Sequence, residues 1–153
     1  MDRIISEKAF LQCSPETAFE LFTDNRLLEN WLTTQANVVP EVGGKYELYW
    51  DPKDKENNST IGCKILAIDA PLFLVFEWKG PRPFKHFMNH ERPLTTVTVF
   101  FIPKDQGTEI CLVHTGWRDS VQWESARQFF VSAWQTSLTQ LMQLVNRKGK
   151  KSF

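Results

Sequence analysis

The sequence predicts an α+β fold in which a curved antiparallel sheet packs around one long C-terminal helix, with two short helices after the first strand. One observation behind this prediction is an apolar stripe at helical spacing between residues 121 and 146. Its members are Trp123, Phe130, Trp134, Leu138, Leu141 and Val145. A second observation is the run of short, alternating segments that precedes this helix. A helix face with large aromatic side chains needs a sheet to cover it, and the pair encloses either a large core or a pocket.

The N-terminal region is predicted to contain one strand and two short helices. The strand covers residues 3–12. Ser14 is positioned to cap the first helix, because Pro15 occupies the first helical position and an acid follows in the first turn. A second helix start at residues 23–24 leads to Trp31. These segments predict a compact helix pair.

Six strands are predicted between the helix pair and the long helix, at residues 35–39, 45–50, 60–68, 72–78, 94–102 and 108–115. In the last three, apolar side chains at every second position share a face. Gly43 and Gly44 indicate a tight turn, and residues 51–58 form a polar hairpin loop. Because the strands are short and linked by turns, the sheet is predicted to be mainly antiparallel. Asp119 with Gln122 is interpreted as a capping pair for the long helix.

Length and charge limit the class of protein. With 153 residues the chain is predicted to form one domain, residues 1–146, followed by a basic, frayed tail at 147–153. Eighteen basic and eighteen acidic residues give a net charge of zero. No overall field therefore favours nucleic acid or an anionic membrane as a partner.

The cysteines and the N-terminus indicate the compartment. Cys13, Cys63 and Cys111 are widely spaced and lack a CxxC or Cys/His pairing, so they are interpreted as buried free thiols. No segment has the length and apolarity of a signal peptide or a membrane span. The prediction is a cytoplasmic protein without a cofactor.

Several segments, taken in order, point to a family. They are the Ser14-Pro15-Glu16 helix start, Gly62-Cys-Lys-Ile-Leu-Ala-Ile-Asp-Ala-Pro71, Leu74-Val-Phe-Glu-Trp78, Gly107-Thr-Glu with Leu112-Val-His-Thr-Gly116, and Trp134 with Leu138 and Leu141. Together they resemble the heat-shock-chaperone ATPase activator homologue (AHSA-type) branch of the START/polyketide-cyclase (SRPBCC) superfamily. The resemblance extends over nearly the whole chain.

This resemblance implies the helix-grip fold, in which a hydrophobic cavity often lies between the sheet and the long helix. Members of the superfamily include chaperone-activating domains of the stress response, binders of hydrophobic small molecules, and cyclases. Fold alone does not choose among these functions. Eukaryotic chaperone activators also carry a separate N-terminal domain that this sequence lacks, so a full co-chaperone role is not expected.

Nine residues are candidates for contact with a ligand inside such a cavity. They are Tyr46, Trp50, Trp78, Phe84, Phe101, His114, Arg127, Phe130 and Trp134. Most are aromatic, and rings that line a pocket have the same sequence pattern as rings that fill a core. Both interpretations stay open at this stage.

Two of these candidates are polar groups in an apolar pattern. Arg127 lies within the helix stripe, where an unpaired charge costs several kcal/mol, so it needs a partner or an exit to water. It is either an anchor for a ligand carboxylate or phosphate, or one half of an internal ion pair, and the ion pair is favoured. His114 shares a strand face with Ile110 and Leu112, and a histidine there is more often a satisfied core group than a ligand contact.

Residues 79–93 form a long loop between two predicted strands. Phe84, Phe87 and Met88 give it an apolar side that is suited to a lid or a partner contact. His86 and His90 have the spacing of metal ligands on a helix, but no third ligand is identifiable and no metal is predicted. The sequence contains no recognisable catalytic motif, and no catalytic residue is predicted.

These observations favour a non-enzymatic binding domain with an aromatic-lined cavity for a small apolar or anionic ligand. A chaperone-associated protein-interaction module and a cyclase-type enzyme are the alternatives. A closed, continuous cavity lined by Trp78, Trp134 and Arg127 would favour ligand binding. An exposed apolar patch on the 79–93 loop together with a filled interior would favour a protein partner, and a second titratable group beside His114 in the cavity would favour an enzyme. The oligomeric state is not predicted.

Overall fold

The computed structural model describes the backbone of residues 3–151 and the side chains of residues 3–146. In order, its elements are β1 (Ile5–Leu11), α1 (Pro15–Thr23), α2 (Asn25–Trp31), β2 (Gln35–Val38), β3 (Tyr46–Tyr49), β4 (Ile65–Asp69), β5 (Phe73–Glu77), α3 (Lys85–Met88), β6 (Thr96–Lys104), β7 (Gly107–Thr115) and α4 (Val121–Lys151). This order confirms the predicted α+β class, with an antiparallel sheet and a long C-terminal helix.

The sheet is antiparallel throughout. Five strands are ordered β1-β7-β6-β5-β4, and β2 with β3 form a two-stranded sheet beside them. Backbone hydrogen bonds connect the two sheets, since Tyr46 N donates to Cys63 O at 2.9 Å and Ile65 N donates to Gly44 O at 2.8 Å. The β2–β3 pair therefore extends the main sheet beyond β4.

The two short helices begin where their capping residues predict. The Ser14 hydroxyl accepts a bond from Thr17 N at 3.1 Å, and the Asp24 carboxylate accepts one from Leu27 N at 3.1 Å. Each bond satisfies a backbone donor that has no partner within the first turn of its helix. Both predicted starts are confirmed.

The capping prediction for the long helix was wrong. Ser120, not Asp119, caps α4, because its hydroxyl accepts a bond from Trp123 N at 3.0 Å. The Asp119 carboxylate instead lies 3.7 Å from the Arg3 guanidinium. Because α4 begins at Val121, Ser120 occupies the N-cap position and Asp119 precedes it by one residue.

The hydrophobic core lies between α4 and the concave face of the sheet. From α4 it receives the buried side chains Trp123, Ala126, Phe130, Trp134, Leu138 and Leu141. These positions follow steps of three and four residues and so occupy one helix face. The predicted stripe is confirmed except at its end, where Val145 is half-buried.

Some boundaries differ from the prediction. The strand expected at residues 60–68 begins only at Ile65, because the chain turns at Gly62, whose φ is +86°. The short helix α3 lies within the loop at 79–93, where none was expected. Helix α4 continues to Lys151, five residues beyond its expected end, while the side chains of the tail at 147–153 lie outside the described residues.

The thiols are less buried than expected. Cys63 is fully buried, and burial raises the pKa of its thiol to about 12. Cys13 and Cys111 are only half-buried. All three are free. In the part of the chain that the structure describes, no helix has the length and apolarity needed to span a membrane.

Candidate ligand-binding cavity

A cavity of about 310 Å³ opens beside the middle of α4. It lies between this helix, the end of β3 and the segments around residues 58 and 80. Its lining consists of Leu32, Trp50, Asn58, Ser59, Trp78, Lys79, Pro81, Phe129, Phe130, Ala133, Trp134 and Ser137. The volume is at the lower end of the range for small-molecule sites, and the lining is mostly apolar with a few polar groups, as such sites require.

The wall of the cavity is a cluster of aromatic rings centred on Trp78. Its ring centroid lies 5.1 Å from that of Trp134, 5.9 Å from that of Trp50 and 6.4 Å from that of Phe130. The contacts with Trp50 and Phe130 are edge-to-face, which aromatic pairs prefer over a direct sandwich. The rings therefore hold one another in place and form an apolar wall of the cavity.

Hydrogen bonds fix two of the tryptophans. The Trp50 indole nitrogen donates to Leu32 O at 2.9 Å, which holds this half-exposed ring at the mouth of the cavity. The Trp134 indole nitrogen donates to His114 Nδ1 at 3.1 Å. Both rings are positioned by the protein and need no ligand to order them.

His114 is the buried support behind Trp134 and does not line the cavity. Because an indole nitrogen only donates, Nδ1 is the acceptor and the imidazole proton lies on Nε2, which donates to the Thr95 hydroxyl at 3.0 Å. Complete burial lowers the pKa of His114 to about 3. The imidazole is therefore neutral at neutral pH, and both of its nitrogens are satisfied.

Trp78 differs from the other tryptophans of the wall. Its indole nitrogen is the one buried side-chain nitrogen or oxygen without a hydrogen-bond partner among the residues whose side chains are described. The Trp78 side chain is only 3% exposed, so its indole nitrogen is shielded from bulk water. A buried donor left unpaired costs about 1–3 kcal/mol.

The polar residues of the lining, which we call the rim, are Asn58, Ser59, Lys79 and Ser137, and none of them is a carboxylate. Lys79 supplies the one charged side chain, and its ammonium donates to Ile61 O at 2.6 Å. Asn58, Ser59 and Ser137 add neutral polar groups. The Ser59 hydroxyl donates a hydrogen bond to Lys55 O.

Of the nine predicted ligand contacts, Trp50, Trp78, Phe130 and Trp134 are brought together at the cavity. Two others fill the core elsewhere. Tyr46 stacks on Phe76 at 3.8 Å, its hydroxyl donates to Phe22 O at 2.7 Å, and burial raises its pKa. Phe101 packs edge-to-face against Phe19 and Phe22.

Phe84 does not line the cavity but packs against a residue that does. Its ring centroid lies 5.4 Å from that of Phe129, which does line the cavity. Nearby, Phe87 and Met88 are buried, with Phe87 packed 5.1 Å from Trp123. The apolar side of the 79–93 loop is thus already covered by α4 and is not a free patch.

Arg127 is paired within its own helix. Its guanidinium donates to the two carboxylate oxygens of Glu124, at 3.0 and 2.7 Å. This pairing lowers the pKa of Glu124 to about 2 and raises that of Arg127. Arg127 is not among the lining residues, so the structure supports the ion-pair interpretation over the ligand anchor. Ala126 takes the inward position that the stripe assigned to Arg127.

Sequence reasoning missed eight lining residues. They are Leu32, Asn58, Ser59, Lys79, Pro81, Phe129, Ala133 and Ser137. A signal existed for the two small ones on α4, since Ala133 and Ser137 lie beside Trp134 on the inward side of the helix, where small side chains leave space. Asn58, Ser59, Lys79 and Pro81 lie in loops, and no sequence pattern predicts that they line a cavity, because their positions depend on the complete fold.

No metal centre is formed by the described residues, in which no three His, Cys, Asp or Glu side chains come together. A second titratable group beside His114 in the cavity, which would favour a cyclase-type enzyme, is also not found among the described residues. The hydrogen-bond partners of His114 are Thr95 and Trp134, neither of which exchanges protons near neutral pH. Within the cavity lining, the one titratable side chain is Lys79.

The architecture and the cavity together define a helix-grip domain with an aromatic cavity beside its long helix. The model of the family described as "Activator of Hsp90 ATPase homolog 1-like protein" matches residues 12–146, so the chain belongs to this family. No curated protein matches the chain.

Solved structures share the fold at low sequence identity. A protein from Mesorhizobium loti aligns with a TM-score of 0.76 at 21% identity, covering 95% of this chain and 98% of the other. An Hsp90 activator from Plasmodium falciparum gives 0.69 at 22% identity, covering 93% and 94%. The Aha1 dimer from Colwellia psychrerythraea gives 0.69 at 14% identity, covering 94% and 96%. These likenesses confirm the fold.

Proposed function

We propose that this protein is a non-enzymatic binding domain that takes a small, mostly apolar ligand into the cavity beside α4. The observation that carries the proposal is the wall of Trp50, Trp78, Phe130 and Trp134 around an open volume of about 310 Å³. Apolar surface left facing water is unfavourable, by roughly 25 cal/mol per Å². The exposed aromatic surface of the lining lies mainly on Trp50 and Phe129, which are 38% and 46% exposed, and a ligand that covers it recovers part of that free energy.

The chaperone-associated alternative draws its support from the family name and from two structural relatives named as an Hsp90 activator and as Aha1. The free apolar patch that this alternative expected on the 79–93 loop is covered, since Phe87 and Met88 are buried. Ligand binding is therefore the function that the geometry supports best. A role in the stress response and a cytoplasmic location stay predictions.

A cavity-filling variant tests the proposal. In Ala133→Trp an indole replaces a methyl group at the wall, and binding of the neutral apolar probe N-phenyl-1-naphthylamine is expected to fall at least tenfold. The matched control is Ser132→Trp, which adds the same ring at the neighbouring, exposed position outside the lining. Probe fluorescence during titration measures both.

The control separates loss of the cavity from a general effect of an added tryptophan. Far-UV circular dichroism verifies that both variants are folded. Equal affinity of Ala133→Trp and the unmodified protein for the probe would show that it binds elsewhere, and the proposed site would be abandoned.

A further inference from the structure

The unpaired indole of Trp78 sets a chemical requirement on the ligand. Buried polar groups in folded proteins are nearly always hydrogen-bonded, so an exception at a cavity wall is a candidate contact for a bound molecule. Trp78 lines the cavity, and its nitrogen has no acceptor among the described side chains and backbone. A purely apolar ligand would leave this N–H unpaired, whereas a ligand with an oxygen acceptor would satisfy it.

The rim favours a negative charge on that acceptor. Lys79 brings the one formal charge of the lining, and within residues 3–146 it takes part in no ion pair shorter than 4.0 Å. The carboxylates of Glu47 and Glu77 lie outside the lining and accept bonds from Gly62 N and Lys64 N, respectively. An anion entering the cavity therefore meets a cation and no lining carboxylate.

We propose that the ligand is a planar aromatic molecule carrying a carbonyl or carboxylate, whose oxygen accepts the Trp78 indole N–H and whose negative charge is countered by Lys79. This inference rests on the proposed function and deepens it by naming the ligand class. Because the nitrogen is covered in the structure, the acceptor reaches it when a neighbouring ring shifts. Trp50, at 38% the most exposed of the four wall rings, lies edge-on to Trp78, and its shift would require its hydrogen bond to Leu32 O to break.

Three probes of the same ring system separate the contributions. The first, 2-ethylnaphthalene, has no hydrogen-bond acceptor. The second, 2-acetylnaphthalene, has a neutral carbonyl oxygen, and the third, 2-naphthoate, has a negatively charged carboxylate. We expect 2-acetylnaphthalene to bind roughly three- to tenfold more tightly than 2-ethylnaphthalene, the effect of one net hydrogen bond. We expect 2-naphthoate to bind more tightly still, with an advantage that falls as salt is added. Isothermal titration calorimetry gives the three dissociation constants.

Two variants assign the effects to residues. Trp78→Phe keeps an aromatic ring but removes the N–H, so the preference for 2-acetylnaphthalene over 2-ethylnaphthalene should disappear. Lys79→Met should remove only the preference for the charged probe. Lys64→Met is the matched control, because it removes a lysine that is exposed and outside the lining. Binding of 2-ethylnaphthalene, which needs neither group, shows that each variant retains its cavity.

The outcomes distinguish this inference from the function on which it rests. Equal binding of all three probes would overturn the ligand class while leaving the proposed function intact. A preference for the acetyl probe that survives in Trp78→Phe would overturn the role of the indole. Absence of binding by every probe would overturn both proposals.

Discussion

The buried imidazole of His114 makes the stability of the fold depend on pH below about 6.5. Burial lowers its pKa from the ordinary 6.5 to about 3. Its contacts are with Thr95 and the rings of four aromatic residues, none of them charged. Protonation in place is therefore opposed by desolvation, and no neighbouring anion compensates for it.

The sign follows from proton binding by the two states. Between pH 6.5 and 3 the unfolded chain holds the proton on His114 and the folded chain does not, so folding stability is lost as the pH falls through this range. From pH 7 to pH 5 the loss from this one group is about 2 kcal/mol, since each pH unit below 6.5 contributes about 1.4 kcal/mol. Glu124, whose pKa is lowered to about 2, stays ionised in both states over most of this interval and adds little.

The assay is urea unfolding, followed by far-UV circular dichroism at pH 7 and pH 5. In His114→Gln the amide oxygen replaces Nδ1 as acceptor and its NH₂ replaces Nε2–H as donor, but the titrating group is gone. The unmodified protein should lose about 2 kcal/mol more than this variant between the two pH values. His86→Gln, at an exposed position, is the control and should leave the difference unchanged. The same loss in the unmodified protein and in His114→Gln would refute the argument.

Two further predictions concern single hydrogen bonds. Trp134→Phe should cost more unfolding free energy than Trp78→Phe, by about 1–3 kcal/mol, because it leaves His114 Nδ1 buried without a donor, whereas the Trp78 indole has no partner to lose. Urea unfolding at pH 7 measures both, and equal costs would contradict this explanation. Ser120→Ala should destabilise the protein by about 1 kcal/mol through loss of the α4 cap, and Asp119→Ala by clearly less. Thermal unfolding of the two variants decides, and the reverse order would restore Asp119 as the cap.

Local signals in the sequence were sufficient for most of the fold. Ser14 and Asp24 cap their helices as predicted, because a cap depends on residues three positions apart. Strand alternation and the α4 stripe also depend on residues close together in sequence, and they predicted which faces of the strands and of α4 point into the core. The pairing of β1 with β7 was not predicted, since it joins residues about a hundred positions apart and has no local signature.

The cavity was predictable only in part. Its aromatic wall follows from large side chains on inward faces, but whether rings fill the space or surround it depends on how far apart the backbones lie. Lys79 and Asn58 reach the rim through turns whose path is set by the rest of the fold. The Arg127 pairing had a local signal, because Glu124 lies three residues earlier and faces the same side of the helix.

The pairing of the first strand with the last has a consequence for synthesis of the protein. Ile5 lies opposite His114, more than a hundred residues later, so the first strand emerges from the ribosome long before the strand it pairs with. At 5–20 residues per second the delay is roughly 5 to 20 s. Throughout that interval Ile5, Ala9 and Leu11, all buried in the finished fold, have no sheet to cover them. The apolar side chains of β1 therefore stay exposed on the nascent chain until β7 has been synthesised, and the five-stranded sheet cannot be completed before then.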